Sequence, residues 1–201
     1  MMTHNSADGA TKQFDDDRML GVYAIRQDGA DGFVNPENRI DLSSAITEEG
    51  LEFVVPEGNW KIYVTQLTRN RGPHRDYINM MDKASCKVQI EAVYEPHWEH
   101  YKEEFGKTIA GFFSDEPELG NGHLYDQNNE LGCSPTMDYP WSRELEMRLK
   151  EELGEDFAGQ LALLWEQDAD TAETARVRYA YMDGVSRLVE EDFSWPIGEW
   201  C

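Results

Sequence analysis

The 201-residue chain is 40% hydrophobic and 11% aromatic, which is enough apolar matter for one folded domain and too much for a disordered chain. Forty acidic residues against 18 basic ones give a formal charge of -22, a field that repels phosphate backbones and anionic membranes, so neither nucleic acid nor a membrane is expected as a partner. The three cysteines, Cys86, Cys133 and Cys201, are odd in number and lack a C-x-x-C spacing, which argues against a disulfide framework and a cysteine zinc site and for a reducing compartment.

In chain order, residues 1–18 read as a polar, flexible lead-in without the apolar stretch of a signal peptide, which places the expected protein in the cytoplasm. Residues 19–68 read as a small antiparallel β unit. LGVYAI (20–25) is the first strand, RQDGADG (26–32) a turn-rich link, and RIDLSS (39–44) a short strand. LEFVVP (51–56) and WKIYVTQL (60–67) flank EGN, which is a hairpin signal. Period two puts Trp60, Ile62 and Val64 on one face, and Lys61, Tyr63 and Thr65 on the other. The loop LTRNRGPHRDY (67–77) gathers Arg69, Arg71, His74 and Arg75 in an otherwise acidic chain. These cations either pair with nearby carboxylates or, as for Arg71, hold a ligand oxygen.

From Asp82, a plausible N-cap, the period becomes helical. Ile90, Tyr94, Trp98, Tyr101 and Phe105 share a face, Pro96 predicts a kink or split near Glu95, and Gly106 suits a C-cap. The two histidines His97 and His100 are three apart, which is not the H-E-x-x-H spacing, and no metal or other cofactor is expected. TIAGFFS (108–114) is almost wholly apolar, as a parallel strand covered on both faces would be. Residues 115–140 are loop-like and long for an α/β connection. Leu145, Leu149 and Leu153 are spaced by four. Phe157, Leu161, Leu164 and Trp165 form a further apolar face. A third helix is predicted over 172–192, with Met182, Val185 and Val189 inward and Pro196 as its boundary. The apolar ending Trp195, Ile197, Trp200 and Cys201 leads to the expectation that the chain stops short of another buried strand.

The stretch IAGFFSDEPE (109–118) carries the functional expectation. In parallel α/β folds, ligands bind beyond the carboxyl ends of the strands, which is where Asp115, Glu116 and Glu118 would stand. Acetal hydrolysis needs one carboxyl group to protonate the leaving oxygen and a second as nucleophile or base. Crowding of like charges raises the acid's pKa into the useful range. Glu116 has the longer reach and is the candidate acid, with Asp115 orienting it. Glu118, Asn121, His123, Tyr125 and, as a stacking platform, Trp141 are candidate substrate contacts. On residue chemistry alone the same cluster reads more readily as an acidic turn on an acidic surface, and Cys86 has no neighbouring base to make it a nucleophile.

The segment 77–122 resembles large glycoside hydrolases with a (β/α)₈ catalytic barrel and accessory β domains, distantly like the α-L-rhamnosidase-type enzymes. The likeness lies in Tyr94-Glu95, Tyr101 and Phe105-Gly106 on the helix, then Phe113-Ser114-Asp115-Glu116-Pro117, and in FSWPIGEWC (193–201), which looks like the entrance to their next strand. The resemblance implies an α/β fold, here part of a TIM barrel over 69–201 with the β unit beside it. It also implies a carbohydrate substrate, an acid/base role for Glu116, and a second carboxylate in a remainder of the same polypeptide beyond Cys201. A noncatalytic sugar-binding module and an acidic interaction protein are the alternatives.

Overall fold

The computed structural model describes residues 19–28, 33–47, 50–67, 78–114, 119, 139–166 and 172–201. Its first half is an antiparallel sheet of order β2-β1-β5, formed by β1 (Met19–Asp28), β2 (Phe33–Asp41) and β5 (Asn59–Gln66). A separate two-residue pairing joins β3 (Ile46–Thr47) to β4 (Gly50–Leu51). β1 is the centre. Tyr23 lies opposite Asp41 on one side and Tyr63 on the other, and the β2 register slips between Ile25 and Arg26.

This corrects two expectations. β1 runs on to Asp28 through the first residues of the supposed turn, and LEFVVP is not the partner of WKIYVTQL, because β5 pairs with β1 instead. The reason is burial. The alternation of β5 is two-sided: Tyr63 faces the helices with Tyr23 and Ile25, while Trp60 and Val64 face a smaller cluster with Val22, Ala24, Leu42 and Leu51. A strand with two apolar faces gains more at a sheet's interior partner than in an isolated hairpin.

The helices follow. α1 (Lys83–Gln89), a π-helical turn (Ile90–Tyr94) and α2 (Glu95–Tyr101) are continuous. Asp82 caps α1 by accepting the Ser85 N–H at 2.8 Å. α3 (Arg143–Leu153) is capped by Ser142, which accepts the Leu145 N–H at 3.0 Å, and it buries Leu145, Leu149 and Leu153 as their spacing predicts. α4 (Phe157–Gln160) and the turn behind it bury Phe157 and Leu161 to Leu164. α5 (Ala172–Leu188), a second π turn (Val189–Ser194) and α6 (Trp195–Trp200) form the last continuous helix. α3 and α5 pack closely because residue 184 is glycine; a Cβ there would meet Leu145 Cδ1 at 2.7 Å.

Three helical expectations change. Val185 is buried and Val189 packs on the core, but Met182 is exposed, because the inward stripe is set by Val177, Tyr181, Val185 and Leu188. At Pro96 the α pattern breaks near Glu95 as expected, through a π turn before α2 resumes, whereas Pro196 does not bound the last helix. In both places the N–H just before the proline reaches back five residues, Glu95 to Ile90 and Trp195 to Glu190. The wider turn makes room for the proline ring, which would otherwise strike the carbonyl four residues back. The ending 195–200, expected as the entrance to a strand, is therefore helix.

The fold is a mixed one of helices and small antiparallel sheets. The expected parallel strand over 108–114 is not among its strands. Phe105 and Ile109 make one bridge, Ala110–Ser114 have no ladder partner among the described residues, and Phe113 is 88% exposed. An apolar run becomes a buried strand only where neighbouring strands supply hydrogen bonds on both edges.

Candidate functional site

The region that leads into the acidic cluster is built from the end of α2 and from α6. Gly106, at φ 77°, takes the left-handed conformation that closes the helix, and its N–H bonds Ile109 O at 2.9 Å. Thr108 and Ile109 donate back to Glu104 O, and the Thr108 hydroxyl reaches Glu104 Oε2 at 2.7 Å. This tight reversal sends the chain back along α2 and lays Phe112 among four rings. Phe112 meets Tyr94 at 4.5 Å, His97 edge-on at 5.7 Å, Phe105 at 5.7 Å and Trp200 at 5.8 Å between centroids. Each such contact is worth roughly 0.5–1.5 kcal/mol beyond area burial, enough to hold Phe112 without ladder bonds. Trp200 is fixed in turn by its indole N–H, which donates to Glu95 Oε1 at 2.8 Å. Trp98, expected as core, is 44% exposed and shows an edge to Phe105 and to Trp200, while Tyr101 lies exposed beside it.

Of the sequence-predicted site residues, Asp115, Glu116, Glu118, Asn121, His123, Tyr125 and Arg71 lie outside the described residues. Trp141 is described. It is half-buried against the main core, its carbonyl accepts from Asn79 Nδ2 at 2.9 Å, and its indole N–H is buried without a partner among the described residues. Cys86 is buried, and burial first, then the nearby Asp192, pushes its thiol up to about 11. Among the described residues no three His, Cys, Asp or Glu side chains gather as a metal site requires.

Two features escaped the sequence reading. Glu166 Oε1 accepts from both Lys61 Nζ and Tyr63 OH, and Arg178 donates to the Glu166 carbonyl, which ties β5 to the helices. The second feature is two carboxyl oxygens that are buried without a partner among the described residues. Asp192, on the π turn, is 8% exposed, and its Oδ2 has no hydrogen-bond partner among the described residues. Glu144 Oε2, on the first turn of α3, is likewise buried and unpartnered. Burial raises the Asp192 pKa, and Glu144 and then Glu191 add to the rise, while Lys83 and Arg148 oppose it. A signal for Asp192 was present: it continues the apolar stripe of Tyr181, Val185 and Leu188, where an acid is out of place. Glu144 gave none, since a glutamate in a first helical turn is ordinary.

Comparisons with family models, with curated proteins and with solved structures found no match. Among the described residues no helix is long and apolar enough to cross a membrane.

Proposed function

We propose that the chain carries part of the acid–base machinery of a glycoside hydrolase, with Glu116 protonating the glycosidic oxygen and Asp115 orienting it. The observation that carries this reading is convergence. Of the stretches that bear the resemblance, the helix with Tyr94-Glu95 and Phe105-Gly106 and the apolar run at Phe112 are near one another in the chain, but the closing Trp200, 105 residues beyond Glu95, meets them in one ring cluster. That cluster fixes the chain three residues before Asp115, so the carboxyl groups leave from an anchored point. In this reading Glu118, Asn121, His123, Tyr125 and Arg71 hold the sugar, no metal or cofactor takes part, and a second carboxylate comes from a further part of the polypeptide. Flanking strands from the same source would pair Ala110–Ser114 and complete a (β/α)₈ barrel. The protein then works on a carbohydrate in a reducing, cytoplasmic setting.

The test is Glu116→Gln in the full-length protein, assayed on a panel of aryl glycosides. Turnover is expected to fall by a factor of about 10²–10⁴ with the circular dichroism spectrum unchanged. Retained turnover removes Glu116 from the acid role. A second reading, a noncatalytic sugar-binding module, is favoured by the exposed rings of Trp98 and Tyr101 on one helix. It is marked by sugar binding without turnover in either form, weakened by Trp98→Ala.

A further inference from the structure

One side of α2 carries rings that the described core leaves open. Trp98 and Tyr101 are three residues apart, hence neighbours on one face of the helix, and both are exposed. They form the rim of a continuous set of ring contacts. Trp98 meets Phe105 edge-on at 5.3 Å and Trp200 at 6.5 Å, and Tyr101 meets His97 at 6.3 Å. Phe112, itself exposed, joins His97, Phe105 and Trp200. From behind, the set is held by the buried Tyr94 and by the bond from Trp200 to Glu95. Rings fixed in this way offer contact area at little further cost in side-chain entropy.

Charge decides what such a surface takes. Glu99 lies between the two rings in the chain, Glu103 follows Tyr101, and Glu199 precedes Trp200. All three are exposed, and among the described residues none is engaged in a salt bridge. Over 95–107 and 195–201 five carboxylates stand against Lys102 and Lys107. The faces of aromatic rings are themselves regions of negative potential. Rings beside uncompensated carboxylates attract a cation, above all a planar guanidinium, which stacks on the ring while its edge bonds a carboxylate. A second copy of this chain, at -22, is repelled, as are phosphate-bearing polymers and anionic membranes. A neutral sugar stacks on the rings but leaves the carboxylates without a counter-charge.

We propose that the Trp98–Tyr101 face of α2 is a docking surface for an arginine-bearing segment of a partner protein, with guanidinium groups stacked on the rings and bonded to Glu99, Glu103 and Glu199. The surface stands on the described helices and does not depend on the hydrolase reading.

The experiment is calorimetric titration of the full chain with hexa-arginine in about 0.15 M salt, where long-range attraction to the net charge is screened. Trp98→Leu is expected to weaken binding about tenfold, and Trp98→Phe, which keeps a π face, less than about threefold. Glu99→Gln combined with Glu103→Gln is expected to cost about tenfold. Glu151→Gln combined with Glu152→Gln removes the same charge from exposed positions of α3 and is expected to cost less than about twofold. Hexa-lysine is expected to bind more weakly than hexa-arginine, and circular dichroism to stay unchanged in every variant. An equal loss from the α3 pair shows that net charge alone attracts the peptide and overturns the proposal. So does binding that Trp98→Leu leaves unchanged, or no binding of hexa-arginine while neutral oligosaccharides bind through Trp98. Hydroxyl-radical footprinting that finds Trp98 already shielded in the full-length protein overturns it as well, since the face is then covered from within.

Discussion

Glu166 shows how much one side chain contributes when two elements meet on it. Its carboxylate accepts the Tyr63 hydroxyl and the Lys61 ammonium together, yet the two donors are not equal. The Lys61 side chain is about half exposed, so solvent and salt screen its ion pair, whereas Tyr63 is buried, and burial and the adjacent carboxylate both raise its hydroxyl pKa. Removing the buried donor is expected to hurt more. Tyr63→Phe should cost about 2 kcal/mol in urea unfolding, independent of salt, and Lys61→Ala less than about 1 kcal/mol, shrinking as salt is added. Equal losses would contradict this division. The placement of Lys61 and Tyr63 on one face was legible from period two. Glu166 was not, because it is 103 residues from Tyr63 and nothing local marks a carboxylate that a distant strand will claim.

At the scale of elements, the two prolines carry the most unexpected lesson. A proline inside an α-helix costs about 3 kcal/mol, through the lost N–H and the clash with the carbonyl four residues back. Pro96 and Pro196 each follow a π turn and begin a new α segment, where the N–H has little to bond and the carbonyl has moved aside. Pro196→Ala is therefore expected to change stability by less than about 1 kcal/mol in chemical denaturation. A stabilisation near 3 kcal/mol would mean that the π turn does not relieve the clash. Asp82, Ser142 and Gly106 behaved as their residue types predict, since caps act within one turn and need no tertiary partner. The run 108–114 did not become a strand, since a strand depends on its neighbours.

For the molecule as a whole, the charge of -22 is the dominant long-range term. Ion pairs such as Arg39–Asp156, Lys87–Glu91 and Arg187–Asp183 neutralise it locally, but acidic residues outnumber basic ones by more than two to one. Like-charge repulsion of this size favours expansion and is screened over about 8–10 Å at physiological salt. The melting temperature is expected to rise by several degrees from low ionic strength to about 0.15 M salt, and the same shift should appear in sodium chloride and potassium chloride. A melting temperature insensitive to salt would show that the surface charges are already balanced in place.

By itself the sequence determined what depends on neighbours within a turn or two: the helical stripe of Leu145, Leu149 and Leu153, the caps at Asp82 and Gly106, and the two-faced alternation of β5. Only the tertiary structure decided that β5 pairs with β1, that both prolines sit within continuous helices, that Trp141 packs partly against the core, and that Asp192 is buried. Local periodicity is a property of a few consecutive residues. Pairing, burial and the fate of a charge depend on which distant surfaces meet, and that choice is made by the whole chain at once.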